Sequence, residues 1–211
     1  MEKWFVPLQM SSLAGQTVKK YGYDSRGQVE YSFNSLGFRA PEETHGSRLV
    51  VVGNSVSFGI GLDIEHTFGS MLAKSMNRSL DNRALGCIYH ENHDNLVNLH
   101  LLAAQQHDSV FVIQINNLDR RREGNSVLTN NSAEWCVDRF LDFFDQTEEI
   151  LKYYPHKYIY WDDINYSIPD SVLKKIVINN KFHLDNSLPN NNNTFGIRTH
   201  SVIAKILRHV I

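Results

Sequence analysis

The sequence predicts an α/β protein in which helices cover both faces of a central parallel sheet of about five strands. Short runs of apolar, mostly β-branched residues recur along the chain, and segments with helical periodicity separate them. A strand followed by a helix, repeated about four or five times, is the pattern of such a sheet. The length of 211 residues fits one large domain of this kind and is enough to bury a substantial core.

The strands are predicted from continuous apolar runs, which are typical of strands buried on both faces of a parallel sheet. The first run reads Leu-Val-Val-Val at 49–52. Similar runs lie at 110–115 and 157–161, a weaker one lies at 175–178, and a further strand is expected around 82–85.

Helices are predicted between the strands, where apolar residues recur on one face. Such faces are found over 95–106, over 133–153 and in a last helix that starts at about His200. The second of these helices is preceded by Asn131, with Glu134 at the spacing of a capping box.

The chain is interpreted as an N-terminal extension, residues 1–47, followed by an α/β body, residues 48–211. The extension looks irregular, with turn-like stretches at 21–24 and 34–39 whose aromatic residues are expected to pack on the body. No linker and no internal repeat indicates a further domain. Four consecutive asparagines at 190–193 predict a polar loop or a flexible tether.

Composition and charge narrow the classes of function. A formal net charge of -2 gives no electrostatic reason to expect nucleic acid or an anionic membrane as partner. No apolar run approaches the length of about 20 residues that a membrane-spanning helix needs. The first residues lack the apolar core of a signal peptide, so a cytoplasmic location is expected unless a leader has been removed. Cys87 and Cys136 lack metal-type spacing and are interpreted as free thiols.

Small and polar residues follow the first strand, at the edge where open parallel sheets bind ligands. Gly53-Asn54-Ser55 is a strand-to-helix turn in which the serine hydroxyl can stand over the sheet edge. The N–H of Ser55, at a helix N-terminus, would favour negative charge that develops on a reacting carbonyl. An ordinary turn with a helix cap fits the same residues. A phosphate loop does not, because no Gly-Lys-Ser/Thr follows, and a dinucleotide fingerprint would need a third glycine.

Three further candidates come later in the chain. Gly86 follows the second expected strand, and Asn116 follows the third. The side-chain amide of Asn116 can aim at an oxyanion, although a pair with Asn117 also suits a simple turn. His200, at the start of the last helix, would stay neutral and available as a base, or else would be a surface or capping residue.

Taken in register, these segments resemble the SGNH (GDSL-like) serine hydrolase superfamily. Residues 51–61, V-V-G-N-S-V-S-F-G-I-G, are similar to its first block, Gly-Asp-Ser followed by Phe-Gly-x-Gly. Residues 34–39, N-S-L-G-F-R, resemble a segment that precedes this block in many members. Gly86 stands at the place of the second-block glycine, and Asn116 at that of the third-block asparagine.

The resemblance implies a three-layer, flavodoxin-like fold with five parallel strands. It also implies that Ser55 attacks an acyl carbon. The backbone N–H groups of Ser55 and Gly86, together with the side chain of Asn116, would form the oxyanion hole. Neither a metal ion nor an organic cofactor is implied.

The sequence departs from the family pattern in its early blocks. Asn54 replaces the aspartate of Gly-Asp-Ser, and in the third block Gln114 and Asn117 replace a glycine and an aspartate.

The last block, Asp-x-x-His, is absent. Residues 185–189 fit it with Leu188 in place of the histidine, and residues 191–196 fit it with both catalytic residues changed. In either alignment His200 resembles a second histidine of many members, and it is expected to act as the base, oriented by Asp185. His183 is the next candidate.

The function expected is that of an esterase, which hydrolyses a small-molecule or carrier-bound acyl ester through a Ser55 acyl-enzyme. An acyltransferase or thioesterase on the same scaffold is an alternative, and so is a member that binds a ligand without turnover. A flavodoxin-like nucleotide or flavin site is disfavoured, since the first loop lacks a phosphate cradle.

Overall fold

A computed structural model describes ten stretches of the chain: 11–21, 28–42, 46–86, 92–103, 108–119, 121–123, 126–128, 131–160, 166–178 and 196–211. The strands described are β1 (Thr17–Tyr21), β2 (Gln28–Ser32), β3 (Arg48–Val52), β4 (Ser79–Asn82), β5 (Ser109–Gln114), β6 (Arg121–Glu123), β7 (Ser126–Leu128), β8 (His156–Tyr160) and β9 (Ile176–Ile178). The helices are α1 (Ser55–Phe58), α2 (Phe68–Ser75), α3 (Asp94–Ala103), α4 (Ala133–Leu151), α5 (Asp170–Leu173) and α6 (Ile197–Val210). Two 3-10 turns, Ser11–Leu13 and Ile64–His66, complete the set.

Five of these strands form one parallel sheet in the order β4-β3-β5-β8-β9. Numbered along the chain, this is the order 2-1-3-4-5 of flavodoxin-like folds. Val51 lies opposite Val112, and Ile113 lies opposite Tyr158, so the carboxyl ends of β3, β5 and β8 meet at one edge. The predicted fold class is confirmed, and a functional site is expected at that edge.

Helices cover both faces of the sheet, as the apolar runs predicted. On one face α3 and α4 bury Leu99 and Phe140 against side chains of β3 and β5. On the other face α2 and α6 bury Leu72 and Ile203 against the alternate side chains of the same strands. No helix in the described stretches combines the length and apolar character that crossing a membrane requires.

The described part of the N-terminal segment contains an antiparallel ribbon rather than the irregular structure expected. Strands β1 and β2 pair with Thr17 opposite Ser32. Tyr31 and Phe33 stack on Phe58 of α1, with ring centroids 5.7 and 6.1 Å apart. Because Phe58 is only three residues beyond Ser55, this ribbon supports the helix that follows the first strand of the sheet.

Three boundaries differ from the sequence-based expectation. Strand β4 ends at Asn82, where we expected it to begin, and residues 83–85 continue alongside β3 through the bond from the Leu85 N–H to the Gly53 carbonyl at 2.9 Å. Helix α4 is capped by Ser132, not by a capping box at Asn131. Helix α6 begins at Ile197 and so places His200 inside its first turn.

A polar cluster, which we call the Glu148 cluster, lies at the opposite edge of the sheet. Glu148 of α4 accepts hydrogen bonds from His156 Nε2 at 2.7 Å and from the Tyr158 hydroxyl at 3.0 Å, and it pairs with Lys175. Burial alone would raise the pKa of Glu148, but the bonds from Lys175, His156 and Tyr158 outweigh it and lower that pKa. The cluster ties α4 to β8 and to the residue before β9.

Candidate active site

Ser55 is the first residue of α1 and directly follows the turn at the end of β3. Asn54 is the N-cap of this helix, and its side-chain oxygen accepts the Val56 N–H at 3.2 Å. Gly53 has no room for a side chain, because a Cβ there would lie 2.5 Å from the Cβ of Gln114. The turn is therefore pressed against β5, and Ser55 stays half-buried at the sheet edge.

Gln114, the last residue of β5, connects to both sides of Ser55. Its Oε1 accepts hydrogen bonds from the Ser57 hydroxyl at 2.6 Å and the Ser57 N–H at 3.0 Å. It also accepts the Asn54 N–H at 3.4 Å, while its Nε2 donates to Asn54 Oδ1 at 2.5 Å. A buried amide thus spans the turn that carries the candidate nucleophile.

Gly86 follows the segment that runs beside the turn. The Asn82 side chain donates to the Ser57 carbonyl at 3.1 Å and accepts the Ala84 N–H at 3.1 Å. Together with the bond from the Leu85 N–H to the Gly53 carbonyl, these contacts hold the segment after β4 beside the turn that contains Ser55. Gly86, the next residue, is buried at the same edge.

Asn116 lies two residues beyond β5 and is 1% exposed. The side chain of Asn92 holds its backbone, since Oδ1 accepts the Asn116 N–H at 2.7 Å and Nδ2 donates to its carbonyl at 3.4 Å. The Oδ1 and Nδ2 atoms of Asn116 itself are buried, and neither has a hydrogen-bond partner among the described residues. An unpaired buried group costs about 1–3 kcal/mol and therefore needs an explanation, of which a catalytic role is one.

Arg39, in the segment before β3, holds the loop that follows α1. Its guanidinium is buried and donates to the carbonyls of Phe58 at 3.1 Å, Gly59 at 2.9 Å and Leu62 at 2.7 Å. It also lies 4.4 Å from the centroid of the Tyr31 ring. Burial lowers the pKa of Arg39 to about 10 against the opposing influence of Tyr31. Sequence reasoning treated residues 34–39 as a turn and missed this role.

His200 belongs to the first turn of α6 and is buried against α2. Its Nδ1 accepts the Phe68 N–H at 2.9 Å, and its ring stacks on the Phe68 ring. Burial, and then the charge of Arg39, lower the pKa of His200 to about 3. A neutral histidine that accepts through Nδ1 carries its proton on Nε2, so the ring in this position has no free lone pair for a proton from Ser55.

The structure thus places three of the predicted site residues, Ser55, Gly86 and Asn116, at the ends of three adjacent strands. It places His200 at a helix contact, where it bonds to Phe68. Asp185 and His183 lie outside the described residues.

A second feature of the described surface is a cleft of about 530 Å³ between β2 and the 3-10 turn Ile64–His66. Asp63, Glu65 and His66 line or flank it and offer metal-ligating atoms within 4.8 Å of one another. Two of these three residues are exposed, and clusters of this kind are common without an ion. Ser55 does not line this cleft.

Comparison with solved structures shows the fold of the G-D-S-L (SGNH) hydrolases. The chain matches a protein described as lipolytic, of the G-D-S-L family, from Desulfitobacterium hafniense DCB-2, at TM-score 0.53 and 13% identity, over 79% of this chain and 100% of that one. It matches the psychrotrophic esterase EstA from Pseudoalteromonas sp. at TM-score 0.53 and 13% identity, over 77% and 95%. It also matches an acetyl xylan esterase from the rumen bacterium Butyrivibrio proteoclasticus at TM-score 0.50 and 12% identity, over 80% of this chain and 64% of that one.

No protein-family model and no curated protein matches the sequence. The likeness is therefore one of fold, and function has to be argued from the site.

Proposed function

We propose that this protein is a serine-dependent acyl hydrolase, an esterase, with Ser55 as nucleophile. The observation that carries the proposal is the amide of Asn116, which is buried without a hydrogen-bond partner among the described residues. It follows the strand whose last residue bonds to the Ser55 turn. An amide donor kept unpaired at that edge is suited to an oxyanion that forms only during reaction.

These positions support the following reaction. The Oγ of Ser55 attacks the carbonyl carbon of an ester, a new C–O bond forms, and the carbonyl oxygen becomes an oxyanion. The N–H groups of Ser55 and Gly86 and the Nδ2 of Asn116 stabilise that charge. The Ser55 proton passes through a base to the leaving alcohol as the old C–O bond breaks, and water then releases the acid from the acyl-enzyme.

The base in this proposal is a histidine, with His200 and His183 as the two candidates. His200 can serve only if its bond to the Phe68 N–H breaks and the ring turns, because Nδ1 is occupied in the described position. A base with the pKa of the buried ring would give the pH profile of kcat/KM a limb near pH 3. A limb between about pH 6 and 7 instead indicates a base with the pKa of an ordinary histidine, which is not that of His200 in its buried position.

The test is labelling with a serine-directed fluorophosphonate, read by intact mass. Wild type should gain one adduct, Ser55→Ala should gain none, and Ser75→Ala, a change at an exposed serine on α2, should be labelled like wild type. Adduct formation that survives Ser55→Ala would contradict the proposal. The variants His200→Ala and His183→Ala then show which histidine the adduct requires.

One observation favours a second function, that of a protein that keeps the fold but binds a ligand without turnover. His200 is committed to a backbone N–H, and its pKa is far below neutral pH. This reading predicts that wild type gains no adduct while an ester or a substrate-like ligand binds and raises the melting temperature.

A further inference from the structure

Gln114 is a buried strand residue whose side chain forms several hydrogen bonds to a single turn. Gln114 is 1% exposed at the end of β5. All of its four hydrogen bonds described above go to the turn that contains Ser55, two with Asn54 and two with Ser57. The residue before Ser55 and the second residue after it are thus fixed by one amide group.

The contact between Gln114 and Asn54 joins two departures from the sequence pattern that the chain resembles. Asn54 Oδ1 accepts from Gln114 Nε2 at 2.5 Å and from the Val56 N–H at 3.2 Å. Its two acceptor positions are therefore filled, one by the strand and one by the helix that Ser55 opens. Gln114 stands where the family pattern has a glycine, and Asn54 stands where it has an aspartate. The two side chains are neutral and form a hydrogen bond with each other.

We propose that Gln114 is a positioning residue that sets the place of Ser55 and of its N–H; the proposal rests on Ser55 being the nucleophile. The hydrogen bonds described for the Gln114 side chain go to Asn54 and Ser57 and not to Ser55, so it would act on Ser55 through these two neighbours. Shifts of about 1 Å in a reacting group can cost on the order of 10²-fold in rate.

The sharpest variant is Gln114→Glu, which keeps the size and shape of the side chain. It retains an acceptor for Ser57 but places a second oxygen where Nε2 donates to Asn54 Oδ1. We expect the second-order rate of phosphonate labelling at Ser55 to fall about 10- to 100-fold. The ratio of this rate to that of wild type at the same pH should rise toward one as the pH falls, because the protonated carboxyl can again donate to Asn54. The matched control is Gln146→Glu, on exposed helix surface, where the amide donates only to Asp142 among the contacts described.

Amide hydrogen exchange tests the same inference without any activity. In wild type the Ser57 N–H is protected by Gln114 Oε1, so Gln114→Ala and Gln114→Glu should raise exchange in a peptide that covers 53–58 by about 10-fold or more. Exchange in peptides from β8 should match wild type in both Gln114 variants. The melting temperature of the Gln146→Glu control should match that of wild type.

The outcomes separate the two proposals. Exchange in 53–58 that stays as in wild type would overturn the role of Gln114, even if Ser55 is labelled. Faster exchange with an unchanged labelling rate at Ser55 would also overturn it, since the turn would then be loosened without effect on the nucleophile. Slower labelling with faster exchange supports it. A wild type that gains no adduct contradicts the proposed function itself, whatever the exchange shows.

Discussion

Replacement of Asn116 by leucine should make the protein more stable and less active at the same time. Leucine has nearly the shape of asparagine but no polar atoms. In the folded protein the Asn116 amide is 1% exposed, and neither of its polar atoms is paired with a described residue. Among the described residues, nothing compensates this amide for the hydrogen bonds to water that it loses on folding.

The size of the effect follows from that burial. Burying an amide without a hydrogen bond costs about 1–3 kcal/mol by the measure of protein mutants. Asn116→Leu should raise the free energy of unfolding by about 2 kcal/mol, or the melting temperature by roughly 4–8 °C for a chain of this length. Loss of one oxyanion donor should lower kcat by about 10²–10³-fold.

The matched control is Asn92→Leu. Asn92 is also buried, but both polar atoms of its side chain bond to the Asn116 backbone. The same chemical change there leaves an N–H and a carbonyl unpaired and should lower stability by about 1–3 kcal/mol. Thermal denaturation and phosphonate labelling of both variants make the comparison. Asn116→Leu that is less stable than wild type, with labelling intact, would refute the reasoning.

Three further predictions concern stability. Burial lowers the pKa of His200 to about 3, against 6.5 for the free side chain, so the stability linked to it is complete above pH 6.5 and is lost as the pH falls toward 3. In His200→Gln, the free energy of unfolding measured by urea denaturation should therefore fall less between pH 6.5 and 3 than in wild type. Glu148 has a lowered pKa, so its contribution is present above its ordinary value of 4.5 and lost below it; the melting temperature of Glu148→Gln should change less than that of wild type between about pH 5 and 3. Gly59 has a φ of 76°, and a Cβ there would collide with Thr67, so Gly59→Ala should lower the free energy of unfolding by about 2 kcal/mol or more, whereas Gly15→Ala, with similar φ and open space, should lose less. Equal losses at the two glycines would count against the collision.

Much of the sheet could be predicted because its central strands are continuous apolar runs. β3 and β5 are buried along their whole length, and all their residues except Arg48, Ser109 and Gln114 are apolar, so the hydrophobic pattern indicates them clearly. β4 has one apolar residue in four and was placed too late. Its Asp81 is fully buried but pairs with Arg83 at 2.6 Å, a contact that periodicity does not report.

The candidate site was predicted in part, for reasons that concern the type of contact. Ser55, Gly86 and Asn116 follow strands, and the edge of a parallel sheet gathers whatever follows its strands. Gln114 and Arg39 were not given roles, because their partners are backbone groups and side chains distant in sequence. His200 was expected at the start of the last helix and lies in its first turn, but its bond to the Phe68 N–H depends on how two helices pack, and the sequence of neither helix contains that information.

The bonds of Arg39 have a consequence for recombination between related proteins. The guanidinium precedes β3, yet the three carbonyls that it serves belong to residues 58–62, some 19 to 23 positions later. A crossover between residues 39 and 58 would keep these bonds only if one parent supplies an arginine at this place and the other supplies a loop with the same backbone path. Chimeras that inherit residues 34–62 from one parent keep the arginine and its loop together.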